Sequence, residues 1–187
     1  MGLTKTSHCV SNLPILSSSS GDSVILASNT SFTGFRISNS SGNSIIGTGV
    51  QNVSMANIFI DHSGNDGIRL VNTNGGINIA GPVINSSQGS AINLIGGTGT
   101  TTFSGSTLIS GGTGPSVNIT GLPASGTVNF GNLQVNSRGA AGLSINGTSA
   151  GTVNLAGTTT ITNENASSSS ALEILNSTGK FNFNTVN

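Results

Sequence analysis

Four ionisable residues fall close together in the segment IDHSGNDGIRL: Asp61, His62, Asp66 and Arg69. Two carboxylates, an imidazole and a guanidinium at this spacing can bind a cation or divide general acid and base roles. A plainer reading competes with that one. Asp61 and His62 end an apolar run, Asp66-Gly67 is an ordinary turn pair, and Arg69 lies between Ile68 and Leu70 and so points outward from them. No charge occurs from Gly76 to Gly97 to extend the cluster, and Glu164 and Glu173 are several repeats away. The expectation is therefore turn residues plus a surface pair, with alanine at Asp61, Asp66 or Arg69 changing stability by less than about 1 kcal/mol. No phosphate-cradling glycine pattern leads into a helix, and no GGxGxD calcium repeat occurs. No cofactor or metal is expected.

The elements that carry these residues are set by a repeat. In GINIAGPVINSSQGSAINLIGG (76–97), Ile77 and Ile79 form one alternating run, Pro82 and Ile84 a second, and Ile92 and Leu94 a third. The chain restates this unit throughout. Leu13 and Ile15, then Val24 and Leu26, fit a second and third run. Full units then begin near Thr30, and Val53, Ile77, Thr101, Val128, Val153 and Phe181 open successive first runs 24 to 28 residues apart. One slackening is visible: Thr107 and Ile109 come one position later than the preceding unit predicts. Three short strands per unit, joined by loops too short for crossover helices, cannot make an ordinary open parallel sheet. They can wind as an all-β solenoid, each strand pairing with its counterpart one coil away, with a rise of about 4.8 Å per coil. The expectation is six to seven coils of three strands over residues 13–187, preceded by a partly irregular segment 1–12. Gly34, Gly67, Gly81, Gly105, Gly142 and Gly157 stand beside the runs, where the backbone must bend or take positive φ.

Composition narrows the partners. Charged residues make up 5% of the chain, five basic against five acidic, while the apolar fraction is 34% with 28 glycines besides. The chain can fold, but its surface must be hydroxyl and amide. Lys5, Arg36, Arg69, Arg138 and Lys180 form no basic run, so no nucleic-acid partner is expected. Apolar runs of a few residues imply no membrane insertion. The start MGLTKTSHCV has no apolar central region, so no secretion signal is expected within it. Cys9, the single cysteine, can form no internal disulfide. Sequons occur at Asn29, Asn39, Asn52, Asn85, Asn118, Asn146, Asn165 and Asn176, but a chain this rich in Ser and Thr produces such triplets by chance.

The segments TVNFGNLQVNS, TVNLAGTTTIT and GINIAGPVINS, each followed by GLSIN, ALEIL or AINLI, resemble the right-handed parallel β-helix of the pectin-lyase-like superfamily. The Asn/Ser/Thr/Gly texture resembles the passenger repeats of bacterial autotransporters and adhesins. That resemblance covers about residues 10–187. It implies a right-handed coil and a location outside the cell or on a bacterial surface. Solenoids of this kind host enzymes, adhesins and structural spikes alike. Polyuronide-cutting members carry clustered acidic residues with an Arg or Lys nearby, which here points only to Asp61, His62, Asp66 and Arg69.

Outward positions of the first run, Ser54, Asn78, Thr102, Asn129, Asn154 and Asn182, fall one per coil and are predicted to align as a polar ladder. Such a face suits weak multivalent contacts with carbohydrate, with another solenoid, or with ordered water; it also serves simply to solvate a neutral sheet. The favoured function is a non-catalytic adhesive or structural solenoid; the alternative is a fragment of a carbohydrate-active enzyme. Finally, Phe181, Phe183 and Val186 open a coil whose far edge invites another strand. End-to-end stacking on a second copy near Leu13 to Leu26, or on adjoining coils of a longer chain, is the expected self-association.

Overall fold

The computed structural model describes residues 13–147, 149–163 and 170–187. Segment 1–12 with Lys5 and Cys9, and likewise Glu164 and the Asn165 sequon, lie outside these residues. Among the described residues sixteen strands follow in order. The first eight are β1 (Ile15–Leu16), β2 (Val24–Ile25), β3 (Ser31–Ser40), β4 (Ile45–Thr48), β5 (Val53–Ser63), β6 (Ile68–Val71), β7 (Ile77–Ala80) and β8 (Val83–Ser87). The rest are β9 (Ile92–Ile95), β10 (Thr100–Ser110), β11 (Val117–Thr120), β12 (Thr127–Ser137), β13 (Leu143–Asn146), β14 (Thr152–Asn163), β15 (Leu172–Ile174) and β16 (Lys180–Val186). Every pairing is parallel and joins one coil to the next, building a β-solenoid of about seven turns. No helix among the described residues is long and apolar enough to cross a membrane.

The three runs of each coil are present, but hydrogen bonding groups them into two sheets. Third runs form one sheet in the order β15-β13-β11-β9-β6-β4-β2. First and second runs share the other, because in β3, β5, β10, β12 and β14 the backbone carries its ladder around the corner between them. Only β7 and β8 are separate: Pro82 stands between them and has no N–H to donate. The corner itself is made by residues in the left-handed region, Gly34, Asn57, Gly81 and Gly105, at φ of 77°, 53°, 58° and 73°. The slackening at Thr107 is a bulge at this corner, where the pairing of β10 with β12 shifts register between Phe103 and Ser106.

Two more columns of left-handed residues turn the other corners. Asn39, His62, Ser86 and Gly111 end the second run, and Gly49, Asn72, Gly96, Gly121, Gly147 and Asn176 end the third. Glycine and asparagine take this conformation at least cost, and together they supply most of these positions. Inside, like residues stack on like. Ile68 pairs with Ile92 and Leu70 with Leu94 in the third runs, and the rings of Phe103 and Phe130 stack with centroids 4.6 Å apart and planes 5° apart. These apolar residues form one continuous buried cluster from Leu26 to Leu155. The register at the start differs from the expectation: Ile15 pairs with outward Arg36 and is 63% exposed, whereas Leu16 pairs with buried Ile37. Arg36 donates its N–H to Pro14 O at 2.9 Å, which fixes that alignment.

Candidate functional site

The four ionisable residues of the 61–69 segment separate into two clusters on different parts of the coil. Asp61 lies on the outer side of the second run of β5, between Ser38 of the coil before and Asn85 of the coil after. Arg36 Nη2 donates to Asp61 Oδ2 at 2.9 Å, and His62 Nδ1 stands 2.8 Å from Oδ1. The Arg36 guanidinium also covers the Phe59 ring at 5.2 Å from its centroid. His62 owes its place to backbone geometry: it is the left-handed corner residue, with its side chain 64% exposed. The partner of Asp61 is thus a residue one coil away rather than Arg69.

Asp66 departs from the surface reading. It is only 6% exposed, and both carboxylate oxygens are engaged. Oδ1 accepts the N–H of Ser90 at 2.8 Å, while Oδ2 accepts Asn93 Nδ2 at 2.7 Å and Arg69 Nη1 at 2.9 Å. The same job is done in the preceding coils. Asp22 Oδ1 accepts the N–H of Asn43 at 2.7 Å, and Asn43 Oδ1 accepts the N–H of Asp66 at 3.1 Å. Asp22, Asn43, Asp66 and Ser90 therefore form a column of corner residues bonded from side chain to next backbone. The column ends where it must, because Pro115 occupies the next place, two residues before Val117, and has no N–H.

No family model, curated protein or solved structure matches this chain. Its functional reading therefore rests on its own geometry. The first-run residues Ser54, Asn78, Thr102, Asn129, Asn154 and Asn182 are Cα partners from coil to coil, as a single column on the outer face. Asn182 Nδ2 donates to Asn154 Oδ1 at 2.6 Å, Asn154 Nδ2 to Asn129 Oδ1 at 2.7 Å, and Asn129 Nδ2 to Thr102 Oγ1 at 3.3 Å. Thr100, Thr127, Thr152 and Lys180 flank it as a second column two residues earlier.

A further ladder on the third face, Arg69, Asn93, Asn118, Ser144 and Glu173, escaped the sequence reading. Asn118 Nδ2 donates to Asn93 Oδ1 at 3.1 Å, and Ser144 Oγ donates to Glu173 Oε2 at 3.2 Å. Its signal was present in the middle residue of each third run: IRL, INL, VNI, LSI, LEI. Also overlooked was the G-x-S-x-G pattern at 147–151. Its Ser149 is fully buried, donates to Asn146 O at 2.7 Å and accepts the N–H of Leu122 at 3.2 Å, so its hydroxyl pins two coils together. The strand β14 follows it, where a nucleophile elbow requires a helix.

At the last coil, Phe181 and Phe183 turn inward in register with Val153 and Leu155 and are half-buried, while Val186 is exposed. Among the described residues, no three His, Cys, Asp or Glu side chains group so as to hold a metal ion.

Proposed function

We propose that this chain is a non-catalytic β-solenoid segment of the pectin-lyase-like, adhesin-passenger kind, acting outside the cell or on its surface and holding carbohydrate polymers by many weak contacts. The observation that carries the reading is the in-register column from Ser54 to Asn182. Each of Asn129, Asn154 and Asn182 spends one amide N–H on the preceding rung, which leaves the second N–H of each amide unspent by the ladder. The row repeats with every coil, about 4.8 Å apart, and so offers an extended chain one weak contact per coil. The edge of β16 away from β14 takes a further solenoid coil, from a second copy or from the same polypeptide.

Retention on a panel of immobilised polysaccharides tests this. Asn129→Ala alone should weaken retention slightly, and Asn129→Ala/Asn154→Ala/Asn182→Ala should abolish it, because multivalent binding loses its avidity as contacts are removed together. Retention unchanged in the triple variant would refute the assignment of this face. Release of shortened sugar chains by the wild type, lost in Asp61→Ala, would refute the non-catalytic reading.

A further inference from the structure

The column of corner residues opens onto the third face through a depression of about 440 Å³, lined by Asn43, Asn65, Asp66, Arg69, Gln88 and Asn93 with Gly64 and Gly89. We propose that this depression is a second, separate binding site that takes one neutral pyranose ring. The proposal rests on the carbohydrate partner proposed above, but on a different surface.

Three features carry it. The size lies within the range of small-molecule pockets. The lining is entirely polar or glycine, with no aliphatic or aromatic floor, so it can engage a ligand only by hydrogen bonds, as the hydroxyl-bearing edge of a sugar ring would allow. Charge decides between polar ligands: the one carboxylate and the one guanidinium are bonded to each other, so the depression offers no net attraction for a phosphate, a uronate or a cation. Paired carboxylate, guanidinium and amides supply donors and acceptors side by side, the pattern that neighbouring sugar hydroxyls match.

The walls are also held in place before any ligand arrives. Asn43 donates Nδ2 to Asp22 at 2.8 Å and accepts the Asp66 N–H; Asn93 donates to Asp66 and accepts from Asn118. Each of these amides retains a second N–H, and Arg69 has five donors with one bonded to Asp66. Such fixed groups lose little freedom on binding. Asn65 and Gln88 are exposed at the rim. The coils beyond lack the pair: Ser90, Pro115 and Ala141 follow Asp66 in its column, and Asn93, Asn118 and Ser144 follow Arg69.

The test is a nitrogen–proton NMR titration of the 187-residue chain, following Arg69 Nε–H and the side-chain amides of Asn93 and Gln88. Methyl glycosides of glucose, galactose, mannose and N-acetylglucosamine are the probes, with methyl glucuronide and inorganic phosphate as anionic comparators. At least one neutral glycoside should give saturable shifts at these signals, and Asn65→Ala/Gln88→Ala should weaken it by about fivefold or more, the equivalent of one neutral hydrogen bond. Absence of saturable shifts with all four neutral glycosides, saturation by the anions only, or shifts of equal affinity in the double variant would each overturn the proposal. The ladder variants should leave these shifts unchanged. Polymer retention through Asn129, Asn154 and Asn182 without any glycoside shift would therefore overturn the depression alone and leave the proposed function standing.

Discussion

Replacing Asp66 by alanine tests whether the corner column holds coils together. The change removes the acceptors of three donors: the Ser90 N–H, Asn93 Nδ2 and Arg69 Nη1. Arg69 has a side chain 34% exposed and turns to water, so its loss contributes little. Ser90 and Asn93 are buried, at 5% and 8%, and each stranded donor costs roughly 1–3 kcal/mol. Water entering from the adjoining depression satisfies part of this, which places the sum at about 2–4 kcal/mol. For a chain of this length that corresponds to a fall of about 4–16 °C in Tm. Asp66→Asn should be milder, since Asn43 shows that an amide oxygen can accept the next backbone N–H at this corner; its cost comes from setting an NH2 group against Asn93 and Arg69. Urea melts read the totals, and amide exchange at Ser90 reads the location: protection there should drop in Asp66→Ala and persist in Asp66→Asn. A change below about 0.5 kcal/mol in Asp66→Ala, the size typical of surface substitutions, would refute the column as a structural device.

Four other outcomes are expected. Ile92→Asn, at a fully buried rung between Ile68 and Val117, should cost about 3–5 kcal/mol, and an unchanged thermal melt would contradict the inward register. Gly105→Asn should cost less than about 1 kcal/mol, because Asn57 holds the same left-handed corner two coils earlier and a Cβ at Gly105 meets nothing within 4 Å. Gly67→Ala should cost more than about 2 kcal/mol, because its Cβ would stand 2.5 Å from Ala91 O and 2.8 Å from Ile84 Cγ2; denaturant melts distinguish the two glycines. A double-mutant cycle on Arg36 and Asp61, whose side chains are 34% and 19% exposed, should return a coupling below about 1 kcal/mol.

The inward rungs were legible in the sequence because apolar alternation is a local signal, repeated within each unit. Val53, Met55, Ile58, Ile60, Ile68 and Leu70 are all buried where the repeat puts them. Even the bulge at Gly105 showed itself as the one-position delay of Thr107. The joining of first and second runs into one sheet was not legible, because it depends on whether the corner residue keeps its hydrogen bonds, and only Pro82 announces that it does not. Ile15 was assigned inward with Leu13 but faces outward, since its apolar neighbour Leu16 could equally fill the inward place and does. Asp66 was misread for a different reason. Its partners Ser90 and Asn93 lie 24 and 27 residues away, one coil on, and Arg36 lies 25 residues before Asp61. Applying the coil offset to polar residues as well as apolar ones would have brought each of these pairs together.

The same stacking accounts for the scarcity of charge. A solenoid sets each side chain directly over the equivalent one in the next coil, at about 4.8 Å. Two like charges at that distance repel by about 0.9 kcal/mol even in bulk water and several times more beside a protein surface, and a charged column repeats the cost at every coil. Amides and hydroxyls avoid it, since each can donate to the rung on one side and accept from the rung on the other, as Asn129 and Asn154 do. Charges are tolerated where neighbouring coils supply a complementary group: Arg36 of one coil to Asp61 of the next, and Asp66 to Arg69 beside it and to Asn93 above. A charged fraction of 5% is then a consequence of the architecture. It also bears on the proposed carbohydrate contacts, because a face built from neutral donors and acceptors in strict register would complement a ligand that is itself neutral, hydroxylated and repetitive.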